Sequence, residues 1–268
     1  EFEKKISKLF AKKFGLMVNS GSSALLLAYE TLPIPKGSNI ITPVLTFATT
    51  ISMMVKAGYK PNFIDIKDRT FCIDESQIEG AINKKTKAIS IPNLLGNLPN
   101  WPLIYKIARK YNLFIIEDSA DTLGATINNY SSGKFSDISI TSFYGSHIIN
   151  CAGNGGMACF NNKKIYNRAK LLRSWGRSSS LFDSKSEKIE NRFNIKIDGI
   201  IYDKKFIFSE LGYNLEPAEL GSAFGLIQLK RLKFNLKKRT RLFKSHTNFL
   251  SKFSNFFETP VQKNNVKT

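Results

Sequence analysis

Phe114-Ile115-Ile116-Glu117-Asp118-Ser119-Ala120-Asp121 is an apolar run that ends in two acids and then small residues. The apolar part reads as a short strand covered on both faces, as in a parallel sheet. Acids at the carboxyl end of such a strand sit where open α/β sheets gather their ligands. An Asp at that place can ion-pair with a protonated ring nitrogen; it can equally be a helix cap or a solvent-exposed strand end.

The same rhythm extends outward on both sides. Residues 39–41, 61–65, 88–91, 114–117, 138–142 and 156–160 are predicted strands, and 22–32, 49–57, 75–82, 103–111 and 163–174 predicted helices. Strands alternating with helices predict an α/β layer structure around a mostly parallel central sheet flanked by helices. Beyond Trp175 the pattern changes. Residues 178–203 are polar and read as a long loop or hairpin, which in a compact domain is usually functional or mobile. From Pro217 two further helices are predicted, over 218–232 and 236–257.

Composition narrows the classes. In 268 residues, 42% hydrophobic and 12% aromatic, the apolar share excludes a disordered chain. No apolar run approaches the roughly 20 residues of a membrane span. Cys72, Cys151 and Cys159 are odd in number and lack metal-ligand spacing, which fits a reducing, cytoplasmic setting rather than a disulfide scaffold. The net charge of +19 invites a nucleic-acid reading. Against it, the lysines are scattered, and the densest cluster, 230–252, alternates with Leu and Phe like a helix with a solvated basic face.

Two more stretches carry chemistry. Asn19-Ser20-Gly21-Ser22-Ser23-Ala24 precedes a helical pattern, and a small hydroxyl-rich turn there offers free amides and a favourable dipole to a phosphate. The plainer alternative is N-capping by serine. Ser142-Phe143-Tyr144-Gly145-Ser146-His147 follows a strand, with Gly153-Asn154-Gly155-Gly156 just after it. Those glycines mean either close backbone approach to a ligand or a tight turn. His147 and His246 are the two histidines; a lone His is more often structural than catalytic, and His246 has no partner motif.

In order and spacing, the turn at Asn19, Thr42-Pro43 with Thr46-Phe47-Ala48, Phe63-Ile64-Asp65, Glu117-Asp118, Ser142-Phe143-Tyr144, Gly155-Gly156 and Gly212-Tyr213-Asn214 resemble the pyridoxal-phosphate-dependent nucleotide-sugar aminotransferases of the DegT/StrS family. The resemblance runs from about residue 3 to 257. It implies the large domain of a fold-type I aminotransferase over residues 1–215, a helical segment over 216–258 leading to a smaller domain, and the start of that domain at 259–268. Since the family's smaller domain would begin about where the sequence ends, and there is no initiator Met, the chain reads as a partial one.

The family roles carry over as implications of that resemblance. Gly21 and Ser22 would hold the phosphate of pyridoxal or pyridoxamine 5'-phosphate, aided by Ser142. Phe47 would stack on the pyridine ring, and Asp118 would pair with its nitrogen so that the ring acts as an electron sink. Asp121 stands where many members carry Gln or His near the cofactor hydroxyl. Asn214 would reach the phosphate of the neighbouring subunit, in a homodimer with shared active sites.

One departure separates the chain from the aminotransferases it resembles. Their Schiff-base Lys lies five residues after the strand-end Ser; here that position is His147, and no lysine lies between Lys134 and Lys163. A His accepts and returns protons near neutrality but cannot hold the cofactor covalently. The family's 3-dehydratase branch has this trait, acting on nucleotide-linked 4-keto-6-deoxy sugars with His as proton-transfer base, and Ser174-Trp175-Gly176-Arg177 also resembles that branch. Some of its members bind an iron–sulfur cluster through four cysteines. Three scattered cysteines cannot supply such a site, so no cluster and no metal is expected, with glutamate or a similar amino donor renewing the amine form. Two alternatives stay open: an aminotransferase-like enzyme with altered or lost activity, and a non-enzymatic basic binding protein on the same scaffold.

Overall fold

The computed structural model describes residues 1–182, 188–193 and 195–268. Two elements open the chain that its pattern did not announce: α1 (Phe2–Leu9), which turns Phe2 and Ile6 into the core, and β1 (Phe14–Val18). Lysines on three of the eight positions of α1 mask its apolar stripe, and β1 is a bare five-residue run without alternation.

The expected alternation follows: α2 (Gly21–Glu30), β2 (Asn39–Pro43), α3 (Ala48–Lys56), β3 (Lys60–Ile64), α4 (Ile78–Ala81), β4 (Thr86–Pro92), α5 (Trp101–Lys110) and β5 (Phe114–Asp118). The helix expected over 75–82 is reduced to a 3-10 turn, Glu75–Gln77, and the four residues of α4. Its first acid explains the break. Glu75 is 2% exposed because its carboxylate turns inward to accept from the Asn100 amide at 2.5 Å and to pair with Lys67.

After the short β6 (Thr126–Ile127) and β7 (Tyr130–Ser131) come β8 (Ile138–Ser142), β9 (Gly156–Phe160) and α6 (Lys163–Arg173), with the predicted strand bounds reproduced for β8 and β9. Within 178–203 the chain forms a hairpin of β10 (Ile195–Ile197) and β11 (Ile200–Tyr202); residues 183–187 and 194 of that stretch lie outside the described residues. Then come α7 (Glu219–Lys230), α8 (Leu232–Leu250) and β12 (Val266–Lys267), which pairs with β6. The last predicted helix, 236–257, therefore starts earlier and stops earlier. It passes after Leu250 into a 3-10 turn, Ser251–Phe253.

The main sheet has seven strands in the order β1-β9-β8-β5-β4-β2-β3. β9 is antiparallel to both β1 and β8, and every other neighbouring pair is parallel. Six strands thus point one way and β9 alone runs against them. The loops that leave β1, β2, β5 and β8 all open at one edge, the place where such sheets collect ligands. One apolar cluster packs Leu25, Leu27, Tyr29 and Met54 against the sheet; a second packs Trp101, Ile104 and Ile107 with Ile89 and Ile115. Tyr29, fully buried, donates to the Thr50 carbonyl at 3.0 Å and so fixes α3 to α2. Among the described residues no helix is long and apolar enough to cross a membrane.

Candidate active site

The turn after β1 and the end of β8 meet at the open edge. Ser20 caps α2, its Oγ accepting from the Ser23 amide at 3.1 Å, so the capping alternative is realised. It does not exhaust the turn, because the amides of Gly21 and Ser22 lie ahead of the capped position and have no acceptor among the described residues. A Cβ on Gly21 would stand 2.7 Å from Cβ and 3.0 Å from Oγ of Ser142. A Cβ on Gly156 would run into the Ser20 carbonyl. Glycine is therefore required at both places, to admit the Ser142 side chain at Gly21 and the Ser20 backbone at Gly156, and Gly21, Ser22 and Ser142 form one cradle.

Asp118 ends β5, paired with Pro92 of β4 and Ile140 of β8. It is 6% exposed, which removes the reading as a solvent-exposed strand end, and no helix follows it to be capped. Oδ2 accepts from Thr50 Oγ1 at 2.9 Å, and Oδ1 from the Ala120 amide at 3.1 Å. Burial pushes the carboxyl up to about 6 despite these two donors, with Asp121 and Glu117 adding to the rise. Among the described residues no cation pairs with it. The hydroxyls of Thr42 and Thr46, in the neighbouring β2–α3 region, are also buried without partners.

Glu117 faces the opposite way and is fully buried. It accepts from Asn93 Nδ2 (3.0 Å), Ser119 Oγ (2.8 Å), Ser139 Oγ (2.7 Å) and Ser136 Oγ (3.2 Å). Asn93 is held in turn by Trp101 Nε1 at 2.9 Å, and its own amide donates to the Asp118 carbonyl at 2.8 Å. The first acid is thus a satisfied internal post and the second an uncompensated charge facing the open edge.

His147 lies in the turn after β8, which closes through His147 N to Tyr144 O (3.0 Å) and Cys151 N to Phe143 O (3.2 Å). Its Nδ1 is 3.7 Å from Oδ1 of Asp121, within ion-pair range but beyond a hydrogen bond. Asp121 is fixed from the other side by the Leu95 amide, 3.0 Å from Oδ2. Burial holds the imidazole below its usual range; Asp121 opposes that and Arg239 adds to it. Burial thus favours the neutral form of the ring.

The remaining expected residues reach the same edge without touching this group. Phe47 is the N-cap of α3 and 70% exposed. Asn214 pairs through its backbone with Ser174, and the next carbonyl, of Leu215, accepts from Asn19 at 3.0 Å; its exposed side chain has no hydrogen bond among the described residues. Thr50, Asn93 and Arg239 were not expected. Only Thr50 carried a signal, standing one helical turn beyond Phe47. Cys72, Cys151 and Cys159 are buried, with Cys72 and Cys151 pushed up to about 12 by burial and Cys159 higher still. No three of His, Cys, Asp or Glu converge as a metal requires among the described residues.

Comparison with known proteins places these features in context. Residues 1–267 match the profile of the DegT/DnrJ/EryC1/StrS aminotransferase family. The lipopolysaccharide biosynthesis protein RfbH of Salmonella typhimurium is 35% identical over 97% of this chain and 61% of its own length. A UDP-4-amino-4,6-dideoxy-N-acetyl-beta-L-altrosamine transaminase of Campylobacter jejuni is 32% identical over 98% of this chain and 62% of its own. The structure of Escherichia coli GDP-4-keto-6-deoxy-D-mannose-3-dehydratase with bound hydrated PLP superposes with a TM-score of 0.84 at 30% identity, over 100% of this chain and 68% of that one. The chain thus spans about three fifths of the length of the curated relatives it matches.

Proposed function

The chain belongs to the DegT/DnrJ/EryC1/StrS aminotransferase family, and from that premise we propose that it removes the 3-hydroxyl of a nucleotide-linked 4-keto-6-deoxyhexose with pyridoxal or pyridoxamine 5'-phosphate as cofactor. Its mostly parallel sheet flanked by helices is the fold-type I aminotransferase architecture. The observation that carries the reading is His147 beside Asp121, in a turn with no lysine between Lys134 and Lys163.

The residues present fit the cofactor. Asp118 is a buried carboxylate without a cation, suited to a protonated pyridine nitrogen. The partnerless Thr42 and Thr46 hydroxyls are donors in want of an acceptor nearby. The cradle of Gly21, Ser22 and Ser142 would take the phosphate on free amides and a hydroxyl, and Phe47 would cover the ring. When bound, the cofactor supplies an electron sink for bond cleavage next to its amine.

Each side chain then has a defined task. Thr50 holds Asp118 Oδ2 in place, and the Asn93–Glu117 network fixes the strand end behind it. Asp121 lies 3.7 Å from Nδ1 of His147, and the imidazole would accept the proton whose removal precedes loss of the hydroxyl and return it afterwards. Glutamate or a similar amino donor would renew the amine. Asn214, exposed and without a partner, lies between Leu211 (98% exposed) and Leu220 (82% exposed), which supports a homodimer in which it reaches the neighbour's phosphate. Three cysteines cannot supply a four-cysteine cluster, free thiols suit a reducing compartment, and we infer a cluster-free enzyme of the cytoplasm.

Incubation with pyridoxamine phosphate, glutamate and GDP-4-keto-6-deoxymannose tests the proposal. Ammonia release with loss of the 3-hydroxyl is expected; accumulation of a stable 4-amino sugar would overturn it in favour of transamination.

A further inference from the structure

A cavity of about 330 Å³ opens next to the His147 turn, bounded by Leu95, Asp121, Ile148, Arg239, Phe243 and Val261 among others. Its charged lining side chains are Asp121 and Arg239, and the terminal residue Thr268 also borders it. Asp121 accepts the Leu95 amide on Oδ2, and its Oδ1 lies 3.7 Å from His147 Nδ1. Arg239 has no carboxylate partner and no hydrogen bond among the described residues. Helix α8 carries many exposed cations; Arg239 is exposed too, but it is the one of them that borders the cavity. The reason is local: Asn235, one turn earlier on the same helix face, donates Nδ2 to the Ile148 carbonyl at 3.2 Å and clamps that face over the His147 turn.

We propose that this cavity seats a small organic carboxylate, with Arg239 reading its carboxylate and the apolar walls its methylene chain. A guanidinium matches a carboxylate by two parallel hydrogen bonds. The cavity is at the low end of ligand-site volumes and offers one free cation. That suits a four- or five-carbon acid rather than a nucleoside diphosphate, whose two phosphates would call for more space and more charge. Resting on the function proposed above, the inference names the amino donor as the occupant: its carboxylate on Arg239 leaves the amine end directed towards the edge where His147 and Asp121 stand.

Titration calorimetry with glutarate, on the chain without added sugar, tests this independently of turnover. Native protein should bind glutarate; Arg239→Gln should weaken it at least about tenfold, the effect of losing roughly one charge-assisted pair. Arg239→Lys should fall between, and Lys244→Gln, on the solvated side of α8, should match native. Absence of glutarate binding to the native chain, equal affinity in Arg239→Gln, or equal weakening in Lys244→Gln would each overturn the proposal. So would an Arg239→Gln variant that loses affinity for GDP but not for glutarate, since the guanidinium would then serve the nucleotide. The outcome is separable from the proposed reaction: failure of dehydration with intact, Arg239-dependent glutarate binding counts against the reaction alone.

Discussion

Oγ1 of Thr50 lies 2.9 Å from Oδ2 of Asp118, and it is the one side-chain hydroxyl that donates to this buried carboxylate among the described residues. A helix starting at the end of β2 thereby reaches across to the end of β5. The bond favours the ionised form against a burial that disfavours it. Thr50→Val keeps the shape and removes the donor. The Asp118 carboxyl, which titrates at about 6, should move upward, by about one unit, in a carbon-13 titration of the labelled side chain. An unchanged midpoint would show that the hydroxyl does not act on the charge.

Asp118→Asn should stabilise the chain when no cofactor is added, and only above its titration range. An unfolded Asp titrates near 3.9, while here the folded group titrates at about 6. Between these values the folded state holds the extra proton, so stability from this group is full below about pH 4 and falls as pH rises through 6. Urea unfolding should show the variant more stable by about 1–3 kcal/mol at pH 8 and little changed at pH 4. Cofactor affinity should fall in the same variant.

His147→Asn should reduce turnover by about 10²–10⁴-fold while pyridoxamine phosphate still binds, measured by equilibrium dialysis. Because burial depresses the imidazole pKa below 6.5, the acid limb of the native rate profile should fall off below pH 6.5. His147→Lys should form a borohydride-reducible covalent adduct with pyridoxal phosphate, visible as a mass increase, and lose dehydration. Full dehydratase activity in that variant would contradict the role given to the imidazole.

Gly21→Ala should cost about 1–3 kcal/mol through overpacking, since its Cβ would lie 2.7 Å from that of Ser142. Cofactor phosphate affinity should weaken with it. Ser142→Gly should restore part of the loss, and the non-additivity in a double-mutant cycle measures the contact; strict additivity would mean that the two positions do not press on each other.

Six of the seven sheet strands were legible, several of them, such as β4 and β5, because their residues form near-continuous apolar runs. The pattern placed Asp118 just past the end of an apolar run and Ser142 at the end of a predicted strand, while their roles came from the family resemblance. Element ends were less legible where a side chain turned inward, as at Glu75, whose burial comes from Asn100 and Lys67 well along the chain. The division of labour between Glu117 and Asp118 was not legible at all: adjacent acids on a strand face opposite ways, but which one is satisfied depends on Ser139 of β8, on Ser136 just before it and on Asn93. Arg239 looked like one basic residue among many, because only the packing of Asn235 on Ile148 decides which cation of α8 borders the cavity.

β9 is the one strand that runs against the main sheet, and among the described residues β1 pairs with it alone: Phe14 finds Phe160, and Val18 finds Gly156. The first strand of the chain must therefore wait until β9 has emerged before it can dock, a closure of high contact order. The same docking presses Gly156 onto Ser20 and so shapes the turn at Gly21. A nascent or truncated chain lacking β9 would carry the anion cradle's sequence without its form, which ties the birth of the binding site to the last step of closing the sheet rather than to the earlier folding of its parallel half.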